Sequence, residues 1–273
     1  MVSVCFAGVT GWTAPAIVAA IDEADDLTLS SGVSRSAAGQ NLATAAGSTS
    51  HGSVYATVAE ALESAQADVL IDYTSAAAVK NNVWTAVGAG VHTVIGSSGL
   101  TSEDYAELDR LAHDQGVGVI AAGNFSVMAA VLRRAASIAA QHLDRWEIID
   151  YASDDKPDVP SGTSRDLAET LGQVREPTLT VALADLHGPV EARGAEIAGT
   201  RIHSVRLPSF VVTTEVVFGG PGERLLIRHD PGLTPAPYVA GTLLAVRNVA
   251  GKVGVRRGLE SLLFGEYPKD LGP

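Results

Sequence analysis

Four short apolar runs, at residues 2–7, 69–71, 93–95 and 117–121, are each bounded by Gly, Asp or Ser. Strands buried on both faces of a parallel sheet read this way. A fifth strand is expected at 27–33. Helix-like stretches fall between them at 14–24, 58–65, 76–88 and 102–115. The last has Thr101 or Ser102 as a candidate N-cap, acidic residues in its first turn and Gly116 just past its end. Strands alternating with helices predict βαβ units and a Rossmann-type doubly wound parallel sheet over the first 122 residues.

The pattern then changes. Residues 127–142 predict one long Ala-rich helix, 146–151 a strand, and 153–162 a polar loop from which a helix opens at 161–164 and runs to 171. Further on, β-branched segments at 179–182, 201–207, 210–218 and 224–229 are separated by turn signals such as Gly219-Gly220-Pro221-Gly222. They predict a second, α+β domain with an antiparallel or mixed sheet. Residues 238–252 are helix-like and are expected to return to the first domain. No internal repeat or low-complexity tract interrupts the chain.

Composition narrows the function classes. Of 273 residues, 46% are hydrophobic, and 19 basic against 31 acidic side chains give a net charge of −12. That balance opposes binding to nucleic acid or to an anionic membrane surface. The single cysteine, Cys5, excludes an intramolecular disulfide and reads as an inert core thiol, and the seven histidines lack zinc-ligand spacing, so no metal is expected. No run of 18 apolar residues and no leader-like N-terminus is present, which predicts a soluble, cytoplasmic protein acting on a small molecule. Glu215 and Glu223 are expected to face solvent.

The first strand runs into Gly8-Val9-Thr10-Gly11-Trp12-Thr13-Ala14 and then a helix. A glycine at a tight turn, and a second where backbone approaches a pyrophosphate, is the dinucleotide-binding arrangement, with the diphosphate on the helix N-terminus near Ala14. Trp12 reads either as a cofactor platform or as packing against the second domain. The second strand ends Gly32-Val33-Ser34-Arg35, with no carboxylate to hold a ribose 2′-hydroxyl. Arg35 can pair with a 2′-phosphate instead, so NADPH is expected to be preferred, with NADH weaker.

Gly8–Gly11, Ile71-Asp72-Tyr73-Thr74, Ile95-Gly96-Ser97-Ser98-Gly99-Leu100, Asn124-Phe125-Ser126 and Lys156-Pro157-Asp158-Val159-Pro160-Ser161-Gly162-Thr163 occur in this order. With Gly222-Glu223-Arg224, His229 and Ala240-Gly241, they make the chain resemble the dihydrodipicolinate (4-hydroxy-tetrahydrodipicolinate) reductase family over almost its whole length. The resemblance implies a dinucleotide-binding domain from 1–124 and 239–273, and a central domain, 125–238, for substrate binding and homotetramer formation. It implies that Gly8, Thr10, Gly11 and Trp12 touch the pyrophosphate and ribose, and Arg35 the 2′-phosphate. Tyr73, Gly96, Ser98, Gly123 and Phe125 are then expected around the nicotinamide, and Lys156, Ser161, Gly162 and Thr163 on the substrate.

The sequence also departs from that family. Where the family carries His-His-Arg-His-Lys, this chain reads Ala152-Ser153-Asp154-Asp155-Lys156, and Thr214 stands for a further family histidine. The family's Arg after His229 is missing from 231–238. A pocket stripped of cationic donors binds two carboxylates poorly, at a cost of roughly 1.5–3 kcal/mol per missing charge-assisted hydrogen bond. The expectation is therefore a divergent, NADPH-dependent reductase of a C=N bond in a cyclic imine with fewer carboxylates. Lys156 is the candidate proton donor or carboxylate anchor, and Asp155 the candidate acid/base or iminium partner. The alternatives are the authentic biosynthetic reductase and a catalytically inactive NADPH-binding sensor.

Overall fold

A computed structural model of the chain describes residues 1–265. These divide into two units, Met1–Val127 with Pro235–Gly265, and Met128–Thr234. Residues 266–273, assigned above to the dinucleotide-binding domain, lie outside the described residues.

The N-terminal stretch alternates β1 (Val2–Ala7), α1 (Ala14–Asp22), β2 (Leu27–Val33), α2 (Leu42–Ala46), β3 (Ser53–Tyr55), α3 (Val58–Ser64), β4 (Val69–Asp72), α4 (Val79–Gly88), β5 (His92–Ile95), α5 (Ser102–Gln115) and β6 (Gly118–Ala121). The middle of the chain supplies α6 (Val127–His142), β7 (Trp146–Ala152), α7 (Gly162–Val174), β8 (Ala195–Ile197), β9 (Thr200–Arg206), β10 (Val212–Gly220) and β11 (Glu223–His229). The chain then adds α8 (Ala236–Asn248), β12 (Gly254–Arg257) and α9 (Glu260–Phe264).

The first unit is a seven-stranded, all-parallel sheet of order β12-β6-β5-β4-β1-β2-β3. The chain winds outward from β1 in one direction and from β4 in the other, so the winding reverses between these two strands. Ligands of open α/β sheets bind at such a reversal, beyond the C-terminal strand ends. One face of the sheet buries Cys5, Leu70, Val58 and Ala86, and another cluster buries Val83, Val87, Ile95 and Leu108. Burial pushes the Cys5 thiol up to about 11, as expected of an inert core residue. Local signals set the ends of α5: the Thr101 hydroxyl accepts from Asp104 N, the Asp104 carboxylate accepts from Thr101 N, and Gly116 closes the helix in the left-handed region at φ 69°.

The second unit is a mixed five-stranded sheet of order β11-β10-β7-β9-β8, in which only β7 and β9 run parallel. Trp146, Ile148, Asp150 and Ala152 of β7 point to one face, where Leu132, Ala136, Leu167, Leu171 and Phe218 complete a core with α6 and α7. The opposite face carries Glu147, hydrogen-bonded to His203 and Arg193, and Tyr151, stacked on Phe210 at 5.1 Å.

Several expectations need correction. Residues 179–182 form no strand, because Leu179 and Val181 are exposed and pair with no neighbouring strand; a single 3₁₀ turn follows at Leu183–Asp185, and β8 takes the sheet edge instead. The 238–252 helix is α8 followed by a 3₁₀ turn at Val249–Gly251, and β12 returns to the first sheet beside β6. Glu215 is buried rather than solvent-facing, and its carboxylate accepts from Arg228 Nη1 at 3.2 Å; Glu223 is exposed as expected.

Candidate active site

In the first unit, the turn after β1 is held so tightly that only glycine fits. Gly8 lies at φ +89°, and a Cβ there would sit 2.1 Å from the carbonyl oxygen of Tyr73, just beyond β4. Gly8 N donates to Val33 O at 2.9 Å, and Gly11 N to Gly8 O at 2.8 Å. No side chain caps α1, and Pro15 in its first turn has no N–H. The cradle thus presents bare backbone and an open helix N-terminus at the switch point, which suits a diphosphate. The Thr10 and Ser34 hydroxyls are 2.8 Å apart and those of Ser34 and Ser36 3.2 Å apart, tying the turn to the end of β2 where exposed Arg35 stands. Hydroxyls beside a guanidinium fit a 2′-phosphate. Trp12 packs edge-on against Tyr238 of α8 within the same unit, with ring centroids 6.0 Å apart.

The segments that follow β4, β5 and β6 converge on Tyr73. Its hydroxyl lies 2.7 Å from that of Thr242, which itself donates to Tyr238 O at 2.8 Å; the Tyr73 proton therefore points to Thr242. Burial drives the Tyr73 phenol far above its ordinary value, so it stays protonated. A Cβ on Gly96 would come within 2.3 Å of the Tyr73 ring, and Phe125 tilts against that ring at 5.9 Å. Gly8, Tyr73, Gly96 and Phe125 are thus brought together, whereas Ser98 and Gly123 lie exposed on the loops beside them. Sequence reasoning missed the group that ties those loops. Asp72, fully buried, accepts from Ser97 Oγ at 2.5 Å, Thr74 Oγ1 at 2.7 Å and Asn82 Nδ2 at 2.8 Å.

In the second unit, the positions that differ from the resembled family take distinct places. Ala152 is fully buried at the end of β7, Ser153 is half-buried, and Asp154 and Asp155 are exposed. Lys156 is half-buried, and its ammonium pairs with Asp158 at 2.8 Å. Ser161 N-caps α7 by accepting from Ser164 N at 3.4 Å, while its hydroxyl donates to Asp150 at 2.5 Å. Ser161 N also donates to Asp150, at 3.0 Å, so Ser161, expected on the substrate, has its N–H and hydroxyl committed inside the protein. Thr214 lies 3.1 Å from the Ser164 hydroxyl.

Asp150 was also missed from sequence. Burial acts to raise its carboxyl, but hydrogen bonds from Ser161 and Arg206 outweigh it and hold the group below the ordinary carboxylate range. Its folded value thus lies below its unfolded value of about 3.9. The stability it contributes is complete above that pH and is lost as pH falls through the folded value. Asp150→Asn is expected to remove this component, so that stability of the variant, measured by denaturant titration from pH 5 to pH 2, falls less steeply than that of the wild type.

Among the described residues, no three His, Cys, Asp or Glu side chains are grouped to hold a metal, and no helix is long and apolar enough to cross a membrane. Residues 2–125 match the family model "Dihydrodipicolinate reductase, N-terminus", and residues 125–263 the model "Dihydrodipicolinate reductase, C-terminus". The 4-hydroxy-tetrahydrodipicolinate reductase of Geobacillus kaustophilus is 36% identical over 263 residues, covering 96% of this chain and 99% of the relative. That of Desulfitobacterium hafniense is 37% identical over 74% of this chain and 75% of its own length. Among solved structures, the dipicolinate-bound dihydrodipicolinate reductase of Paenisporosarcina sp. TG-14 superposes with a TM-score of 0.74 at 27% identity, over 96% of this chain and 99% of the other. An amine dehydrogenase from Mycobacterium smegmatis, TM-score 0.64 at 16% identity and covering 93% of this chain and 94% of its own, shares the fold alone. With both halves matched in order, the chain belongs to the dihydrodipicolinate reductase family and is an NAD(P)H-dependent oxidoreductase.

Proposed function

We propose that the protein reduces the C=N bond of a 4-hydroxy-tetrahydrodipicolinate-type substrate, with NADPH preferred over NADH. The observation that carries this reading is the near end-to-end likeness to curated reductases of that name, with Lys156-Pro157-Asp158-Val159-Pro160-Ser161-Gly162-Thr163 intact at the start of α7. The first unit is the dinucleotide-binding domain and the second binds substrate.

Gly8, Thr10, Gly11 and Trp12 form the diphosphate cradle, Arg35 with its neighbouring hydroxyls receives the 2′-phosphate, and Tyr73, Gly96, Ser98, Gly123 and Phe125 shelve the nicotinamide. The bound cofactor supplies hydride to the imine carbon. The protein's own task is position and charge. The Lys156 ammonium and the N–H groups at Gly162 and Thr163 anchor a substrate carboxylate. As the carbon is reduced, the π pair settles on nitrogen, which takes a proton from Lys156 Nζ, with the Asp155 carboxylate as the iminium partner; water restores the donor.

A second reading has its own observation. Buried Ala152, half-buried Ser153, exposed Asp155 and Thr214 occupy places where the resembled family has histidines, and exposed Asp154 stands for its arginine. Losing two charge-assisted hydrogen bonds forfeits about two to four decades of affinity for a dianion. A cyclic imine with fewer carboxylates fits that pocket better. NADPH oxidation measured across cyclic imines bearing none, one and two carboxylates separates the two: efficient turnover of the dicarboxylate supports the first, and preference for the others the second. NADPH binding with no turnover of any member overturns both.

The outer face of the second sheet supports assembly as a homotetramer. It holds an open cavity of about 790 Å³ lined by Ile149, Leu179, Val181, Leu186 and Val217, and analytical ultracentrifugation tests it. Arg35→Ala is expected to raise the NADPH Kd by about 10- to 100-fold, the worth of a charge-assisted pair. NADH binding should stay within about twofold; equal losses for both nucleotides would show that Arg35 does not read the 2′-phosphate.

A further inference from the structure

We propose that Asp150, with Arg206 as its counter-charge, is the positioning residue that sets loop 153–161 and the first turn of α7 in their substrate-anchoring geometry. The inference rests on the proposed function only in giving that loop a substrate.

Asp150 sits on the inward face of β7 and is fully buried. Its two carboxylate oxygens gather donors from separate elements: Ser161 N at 3.0 Å, Ser161 Oγ at 2.5 Å, Ser164 Oγ at 3.1 Å, Ser204 Oγ at 3.1 Å and Arg206 Nη2 at 2.8 Å. The same Nη2 reaches Asp158 O at 2.8 Å, so one guanidinium holds the loop at 158 while the carboxylate holds it at 161. Asp158 in turn pairs with Lys156 through its side chain. The ammonium and the helix N-terminus that anchor substrate thus hang from a single buried ion pair.

Charge explains why a mere packing role is insufficient. An apolar residue of similar volume fills a core at less cost than a desolvated carboxylate, unless the polar group fixes something specific. A lone anion beneath the N-terminus of α7 would also repel a substrate carboxylate. Arg206 cancels that charge, so the loop is ordered without weakening the anion site. Ordering it in advance removes an entropic cost from substrate binding.

The test compares Asp150→Asn, Arg206→Gln and the double variant with the wild-type enzyme. Hydrogen exchange across residues 153–164 is expected to speed up by at least about tenfold in each variant, with β10 protection unchanged. The Kd for pyridine-2,6-dicarboxylate and the KM for the imine should each rise at least about tenfold, while kcat falls less than about threefold and NADPH Kd stays within about twofold. The double variant should be no worse than the poorer single, because the two residues act as one unit. A lower kcat at unchanged KM, or unchanged exchange in the loop, would overturn the proposal. If Asp150→Asn does not fold, Ser204→Ala removes one donor and should loosen the same loop by about twofold; no change there overturns it equally. A wild-type enzyme that binds no dicarboxylate and reduces no imine overturns the proposed function, whereas the exchange measurement still decides the role of Asp150.

Discussion

Replacing Lys156 with alanine is expected to lower kcat/KM by about a hundredfold, the upper worth of one charge-assisted hydrogen bond. NADPH affinity should stay within about threefold, because Lys156 lies in the second unit and the Gly8–Gly11 turn proposed to hold the diphosphate in the first. Two effects act in the same direction. The variant loses the ammonium proposed to meet the substrate carboxylate, and it leaves Asp158, now without its 2.8 Å partner, as an uncompensated negative charge close in sequence to Asp154 and Asp155. Lys156→Arg should recover part of the KM but little of any proton transfer, since a guanidinium stays protonated. Steady-state kinetics on the best imine of the panel, alongside NADPH titration, reads both quantities. Activity unchanged in the alanine variant removes this side chain from the mechanism.

Gly8→Ala is expected to abolish measurable NADPH binding and to lower the melting temperature sharply. A Cβ at φ +89° costs on the order of 1–2 kcal/mol in backbone strain alone. The larger cost is steric: that Cβ would lie 2.1 Å from Tyr73 O, so the chain ends leaving β1 and β4 would have to part, opening the cradle itself. Gly116→Ala is the control. It has a similar left-handed backbone, at φ 69°, but nothing within 4 Å of the added methyl. It should cost about 1 kcal/mol, roughly 2–4 °C in Tm, and leave NADPH binding intact. Equal behaviour of the two variants would show that strain, and not the approach of Gly8 to Tyr73, governs the first.

Much of the first unit was legible because its central strands are buried on both faces and therefore apolar without interruption. The short edge strands were not. Ser53-Val54-Tyr55 and Gly254–Arg257 carry no apolar run, and pairing to β2 and β6 makes them strands. Residues 179–182 failed in the opposite sense, having strand-like residues with no partner to bond. The cradle was legible since glycine turns follow from backbone geometry. The carboxylates beneath the loops were not, although β7 held a usable signal: its alternation places Asp150 in line with Trp146, Ile148 and Ala152, and an acid on a core face needs partners. Asp72 lacked even that signal, since a strand-end aspartate is common, and its donors Ser97 and Asn82 come from β5–α5 and α4.

The Tyr73 cluster depends on the far end of the polypeptide. Thr242 receives the phenol, Gly241 approaches Phe125 O so closely that a Cβ would lie 2.0 Å away, and Arg247 pairs with Asp26. During synthesis, β1 to β6 emerge more than a hundred residues ahead of α8 and β12. The unit that is translated first is consequently finished last: a ribosome stalled before codon 236 holds β1 to β6 without the α8 and β12 that complete their sheet and the Tyr73 cluster.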